Sequence, residues 1–421
     1  MNIQSTKNLL VLAAKQAWRH RRKTLLIAFC IGIGNLTLLL QLSQGHGQEN
    51  AFMGSMIRSL SGHMQLSQSG SNSSTSLFEA DILKQSAIKG LPGIESILQN
   101  TPQVHSIARR VRFGSMMSHG EENWSAFIVG AEAARERQVC DGIALSEGRF
   151  ITAGSNEIVI SASTARDRGL RLGDTVTILA GTATRSFNAM EFQIVGLTAD
   201  TGISKFYSRM AYIPIERARK LVGLPADASL ELVVRLRQTS DTGAVASGLR
   251  TKLAGIGATG VTVRTWPEMA GIFLGILAVS RAFQLAMAVF LGAVILILMF
   301  SNFSVYVIER CTDMATLQAI GYRKRELAAL FISEALIVAA ASAILGLSLG
   351  AILCGWLGTV GIPAFNEPMT YVFAGDRLFP ILRAGDIMLL LFGTCVVAAL
   401  AVLEPIRRSL GRDFVLMLNR S

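Results

Sequence analysis

The sequence predicts a membrane protein with four transmembrane helices and a large α+β extracytoplasmic domain inserted between the first and second helices. Three observations lead there. The 421 residues are 51% hydrophobic and 16% charged, a composition outside the range of soluble globular chains. Four uncharged apolar runs, Thr24 to Leu40, Ala282 to Ile308, Ala335 to Ile362 and Ile387 to Leu403, approach the ~20 residues that cross a bilayer. Some 240 residues separate the first run from the second, whereas the others are joined by short links.

Basic residues in short flanks are retained on the cytoplasmic side. The amino-terminal segment carries Lys7, Lys15, Arg19, Arg21, Arg22 and Lys23 and no acid. The link between the second and third runs has Arg310, Arg323, Lys324 and Arg325, and the tail has Arg407, Arg408, Arg412 and Arg420. These three pieces hold nine of the eleven net positive charges, so the basic balance is mostly topological. The third-to-fourth link sets Arg377 and Arg383 against Glu367, Asp376 and Asp386 and fits the outside. The expectation is a multi-pass protein of the bacterial inner membrane with both termini cytoplasmic. No basic stripe interleaved with aromatics appears between residues 46 and 268, which argues against nucleic-acid binding.

In chain order, residues 1–23 read as an amphipathic segment on the inner membrane surface, with Leu9, Leu10, Ala13, Ala14 and Trp18 at helical spacing. Residues 24–45 are the first span, read as a retained anchor because no small-x-small cleavage site follows it. Residues 46–268 are the external domain, with a polar loop at Gln68 to Ser76 and a β-rich insertion near 126–200. Strands are expected at Ala126 to Val129, Glu157 to Ile160, Thr175 to Leu179, Glu191 to Val195, Leu230 to Leu236 and Val261 to Val263. Helices are expected from Pro214 to Val222 and from Ala244 to Ala254. Residues 269–308 form a stalk and the second span, 309–326 a cytoplasmic coupling region, 327–362 the third span, 363–386 an outer loop, 387–404 the fourth span and 405–421 the cytoplasmic tail. Of the five cysteines, Cys140 alone is external, so no internal disulfide is available to the domain.

Catalytic signatures are sparse. HExxH, CxxC and Walker A patterns are absent, and the five histidines are scattered. Gly346-Leu347-Ser348-Leu349-Gly350 matches the serine-hydrolase pattern, but inside an apolar span, where glycines four apart serve close helix packing. Glu334 is placed at the level of the lipid headgroups, where the third span enters the membrane.

The link at Glu309-Arg310-Cys311-Thr312-Asp313-Met314-Ala315-Thr316-Leu317-Gln318-Ala319-Ile320-Gly321 is the most specific stretch. Thr312 suits a helix cap, Asp313 its positive end and Gly321 a left-handed terminus, giving a two-turn helix with Met314, Leu317 and Ile320 as an apolar ridge. With the later Phe331-Ile332-Ser333-Glu334-Ala335-Leu336, this stretch resembles the coupling region of the MacB, FtsX and lipoprotein-releasing permeases, the type VII ABC transporter membrane subunits. Asp313 and Gln318 depart from the family's usual Glu and Arg. Weaker likenesses are Gly62-His63-Met64-Gln65, Leu91-Pro92-Gly93-Ile94, Gly148-Arg149-Phe150 and Leu172-Gly173-Asp174.

The resemblance implies a permease that pairs with a second copy or a paralogue and binds a cytoplasmic ABC ATPase through Glu309, Arg310, Asp313, Met314, Leu317, Ala319, Ile320 and Gly321. It implies no cofactor in this chain, ATP and magnesium being bound by the ATPase, and no catalytic or metal site. Membrane lipids and a periplasmic chaperone or adaptor are the further partners. The expected work is mechanotransmission that extracts lipoprotein or lipid-like cargo, as in the lipoprotein-releasing branch. The alternatives are MacB-like export of peptides or drugs and FtsX-like activation of a cell-wall hydrolase without transport. An intramembrane enzyme would rest on Ser348 alone.

Overall fold

The computed structural model describes residues 21–68, 85–200, 208–255, 260–309, 316, 320, 321, 323–373 and 375–410. The expected amphipathic segment before Arg21, the polar loop after Gln68 and the tail beyond Leu410 lie outside them. Among the described residues, four helices are long and apolar enough to cross a membrane. They lie within α1 (Arg21–Met56, continued by a π-helical turn at Ile57–Ser61), α8 (Gly271–Glu309), α9 (Lys324–Val360) and α11 (Ala384–Leu410).

Between α1 and α8 the chain forms β1 (Met64–Gln68), α2 (Leu91–Gln99), β2 (Val104–His119), β3 (Glu122–Ala131), α3 (Ala133–Val139), β4 (Leu145–Gly148), β5 (Glu157–Ser161) and α4 (Ala162–Asp167). It continues with β6 (Thr175–Gly181), β7 (Phe187–Thr198), β8 (Met210–Pro214), α5 (Ile215–Val222), β9 (Glu231–Leu236), α6 (Thr242–Gly255), β10 (Val261–Thr265) and α7 (Trp266–Met269). Between α9 and α11 lies the short α10 (Glu367–Phe373). All six expected strands and both expected helices fall on observed elements of the same type.

The ten strands make one sheet in the order β10-β1-β9-β2-β3-β8-β5-β7-β4, with β6 pairing β2 and β7 off that path. The pairs β3–β8 and β5–β7 are parallel and the others antiparallel. Residues 126–200 thus supply strands to the common sheet. Three buried clusters line it. Phe113, Met117, Ile128, Ile158, Ile178 and Phe192 belong to one, Met64, Leu66, Ile94, Leu98, Leu232 and Val263 to a second beneath α2 and α6, and Ala108, Val129, Val159, Tyr212 and Val233 to a third with Val139 of α3.

Contacts divide the chain into a helical unit (Met1–Gln48, Val279–Ile362, Phe379–Ser421) and a second unit (Glu49–Ala278, Pro363–Leu378). In the helical unit, lipid is as apolar as leucine, so helices gain by close packing rather than by hiding apolar surface. Ile27, Ile31, Met299, Phe303, Phe331, Ala335, Ala398 and Val402 form its core, while Phe283, Val289, Phe290 and Ile297 of α8 face outward. A Cβ built at Gly346 would lie 2.7 Å from Gly32 Cα and would overlap the Gly32 carbonyl, so the Gly-x-Ser-x-Gly match marks the close approach of α9 to α1. Asn35 is 2% exposed; its amide donates to Ile31 O at 2.9 Å, and its Oδ1 accepts from Thr394 Oγ1 at 2.9 Å. His46 Nε2 lies 3.0 Å from Asp386 Oδ2.

Glu334 is 2% exposed, beside the core residues Phe331 and Ala335. One expectation needs correction. The third apolar run was read to Ile362, but the helix ends at Val360, because Gly361 takes a φ of +75°.

Replacing Gly346 by Leu should cost about 1–3 kcal/mol through overpacking, whereas Gly355→Leu, with nothing near its Cβ, should leave stability unchanged. Thermal unfolding in detergent checks this, and equal losses in the two variants would contradict the packing assignment.

Candidate functional site

Two places qualify: the link between α8 and α9, and the junction where the outer ends of α1 and α8 enter the sheet. Of the expected coupling residues, Glu309 is the last of α8. Ile320 N donates to Thr316 O at 3.1 Å, Ile320 is 73% exposed, and Gly321 has a φ of +107°. Arg310, Asp313, Met314, Leu317 and Ala319 lie outside the described residues. Beyond the turn, Arg323 N donates to Glu326 Oε2 at 3.0 Å, closing the start of α9.

The junction was not anticipated as a site. The helix of α1 runs well past the span read from hydropathy and closes with the π turn at Ile57–Ser61, where Gly62 N bonds Ile57 O at 3.1 Å. Gly62 then turns the chain at a φ of +61°, in a place where a Cβ would lie 2.7 Å from the Val233 side chain and 2.8 Å from Val234 O. Only glycine meets both demands.

His63 follows, 4% exposed, and all its polar atoms are engaged. Its N–H donates to Val234 O at 2.9 Å and its carbonyl accepts from Trp266 N at 3.0 Å. Ring Nδ1 accepts from Leu236 N at 3.1 Å, so the proton sits on Nε2, 3.1 Å from Thr239 Oγ1. β1 then pairs antiparallel with β10 on one side and β9 on the other. Since β10 leads through α7 into α8, the outer ends of the two long helices enter adjacent strands. Phe52, Met56 and Leu60 of the first stalk pack on Met269, Ala270 and Leu277 of the second.

Charged groups surround the π turn. Arg110 of β2 is 2% exposed; it pairs with Glu136 of α3, and its Nη1 donates to Leu60 O at 2.6 Å. Asp141 accepts from Arg58 at 3.0 Å and from Arg235 at 2.8 Å, and these two partners hold its carboxyl below the usual range against the opposing effect of burial. Burial pushes the Cys140 thiol up to about 11, so it is neutral beside Arg110. Among the described residues, no group of three or more His, Cys, Asp or Glu side chains is placed to hold a metal ion.

A domain hung between two long apolar helices, with its fixed points at both stalks, defines a multi-pass membrane protein. Comparison with known proteins assigns it. The MacB-like periplasmic core domain profile matches residues 24–252 and the FtsX-like permease C-terminal profile matches residues 285–413. The chain belongs to the MacB/FtsX family, the permease component of ABC transporters whose ATPase is a separate cytoplasmic subunit. Among solved structures, the periplasmic region of MacB from Actinobacillus actinomycetemcomitans is 15% identical, with 52% of this chain and 95% of that one covered and a TM-score of 0.37. The extracellular domain of the noncanonic ABC-type transporter YknZ from Gram-positive bacteria is 14% identical, covering 48% and 99%, with a TM-score of 0.34. A domain of a putative permease from Porphyromonas gingivalis is 16% identical, covering 48% and 85%, with a TM-score of 0.30. No curated protein matches.

Burial first, and then the Arg235 charge, lower the His63 pKa from 6.5 to about 4. The unfolded chain therefore takes up the proton first, so this contribution to stability is complete above 6.5 and is lost as pH falls toward 4. The thermal midpoint of the full chain should drop between pH 7 and 4.5, and His63→Asn, which keeps an acceptor near Nδ1, should flatten that slope. An unchanged slope in the variant would show that other groups set it.

Proposed function

We propose that this chain receives the closure of a cytoplasmic ABC ATPase at residues 309–326 and converts it into movement of its extracytoplasmic domain, extracting lipoprotein or lipid-like cargo from the inner membrane. The observation that carries this reading is the entry of both stalks into the adjacent strands β1 and β10. In this reading a shift of either stalk is delivered to a ten-stranded sheet through the strand that follows or precedes it.

The ATPase holds ATP and magnesium, and this chain contributes an apolar ridge at Met314, Leu317 and Ile320. Glu309, Arg310, Asp313, Ala319 and Gly321 frame that ridge, and the termini share its cytoplasmic side. The exposure of Ile320 fits a residue that awaits a groove on a partner. A second permease copy or a paralogue completes the assembly, and a periplasmic chaperone takes the cargo. The lipoprotein choice rests on Gly62-His63-Met64-Gln65 and on Asp313 to Leu317, which are similar to the lipoprotein-releasing branch.

Ile320→Asp and Leu317→Asp should each abolish copurification with the ATPase, and Ile320→Asp should leave the chain folded, because an exposed Ile320 contributes little to stability. Retained association would refute the coupling assignment. Depletion of the protein should leave lipoproteins in the inner membrane, and normal sorting would refute the cargo while leaving the permease reading intact.

A further inference from the structure

The end of an α-helix leaves its last carbonyls without intrahelical partners. At the end of α1 those carbonyls are taken up by the sheet and the loop after α3: Leu60 O accepts from Arg110, and Arg58 O accepts from Gly142 N at 2.9 Å. Gly142 sits so close that a Cβ there would lie 2.9 Å from the Arg58 Cβ and the Ser59 Oγ. Arg110 is the hub. Its guanidinium spans Glu136, Leu60 O and the Cys140 sulfur, the last at 3.1 Å, while its own carbonyl accepts from Ser229 Oγ and Leu230 N. The thiol and the neighbouring Tyr212 hydroxyl are both neutral, so Glu136 is the anion that balances it at this point.

The clamped segment is a π turn, which holds one residue more than the α-helix it interrupts. Regularising it would advance the chain into β1 by one residue. Side chains in a strand alternate between faces, so that slip would turn Met64 and Leu66, both fully buried, away from their core and bring Gln65 and Ser67 in. The form of the turn and the register of β1 are therefore one constraint.

We propose that Arg110 is a positioning residue that, with Glu136, holds the Ile57–Ser61 turn in its π form and so sets the rotational register at which the first stalk enters the sheet. The consequence for force transmission rests on the permease reading above; the local structural role does not. Fork geometry matters here, because a lysine would keep the charge against Glu136 yet cannot also reach Leu60 O as a planar guanidinium does.

Hydrogen exchange on the full chain in detergent, without ATPase or cargo, tests it. In the unmodified chain the Gly62 amide, bonded to Ile57 O, should be protected. Replacing the pair with apolar side chains (Arg110→Met with Glu136→Leu) is expected to leave global stability nearly unchanged, as for other buried pairs. Gly62 should then exchange about 10-fold faster or more, with Arg110→Lys giving the same local effect. Folded variants with unchanged Gly62 protection overturn the proposal, and so does an unprotected Gly62 in the unmodified chain, which needs no variant. Because no outcome depends on nucleotide or cargo, failure here leaves the permease reading standing, and failure of ATPase association leaves this result interpretable.

Discussion

The pairing of β1 with β10, anchored at His63, is the contact on which the rest of the extracytoplasmic unit depends. It brings Met64 opposite Thr265 and carries the register through to Gln68 opposite Val261. The same strand pairs β9 on its other edge, from Met64 opposite Val234 to Ser67 opposite Glu231. A strand held on both edges cannot slide without breaking two ladders. What enters through α1 and what leaves through α8 are therefore tied to a single element of five residues. The stalk cluster of Phe52, Met56, Leu60, Met269, Ala270 and Leu277 strengthens that tie with apolar burial, and the bonds to Val234 O and from Trp266 N and Leu236 N immobilise His63 just before its start.

The helical unit answers to a different solvent. With no water to drive helices together, contact comes from small residues and internal polar pairs. Gly32 against Gly346 and the Asn35–Thr394 bond are of this kind, each joining α1 to another helix. Gln48 Oε1 accepts from Ser280 Oγ at 3.1 Å and Gln284 Nε2 at 2.7 Å, linking the outer part of α1 to α8. The helix that leads to the sheet is thus also the one gripped by three neighbours, whereas α8 presents a broad apolar face that suits lipid or a second permease.

Much of this was legible in the chain because hydropathy, flanking charge and period-two alternation are local signals. The spans and the strands at 157–161, 175–181 and 231–236 follow from them. β2 did not, although it is the longest strand: Arg109, Arg110 and Arg112 break its apolar pattern, and their partners Glu95, Glu136 and Glu231 lie far away in sequence. Three arginines within four residues that otherwise read as a strand are the available clue, since such a run is stable only if folding supplies acids. The extension of α1 through Met56 was hidden for a related reason. Its residues, from Gln41 to Asn50, are polar and glycine-rich, and their helicity depends on neighbours rather than on propensity. The coupling stretch was legible by resemblance, and its charge and apolar spacing suffice to place a helix end at Gly321 but not to say what the ridge touches.

If the junction is a rigid connector, the stalk base and the sheet must move together when the ATPase closes. Spin labels at Gly54→Cys and Gly248→Cys, two positions with open space around the Cβ, report that distance in a cysteine-free background. Pulsed dipolar spectroscopy on the complete complex should give the same distance distribution without nucleotide and with trapped ATP. A shift between the two states would make the junction a hinge, and would contradict the account in which motion passes through β1 and β10 undiminished.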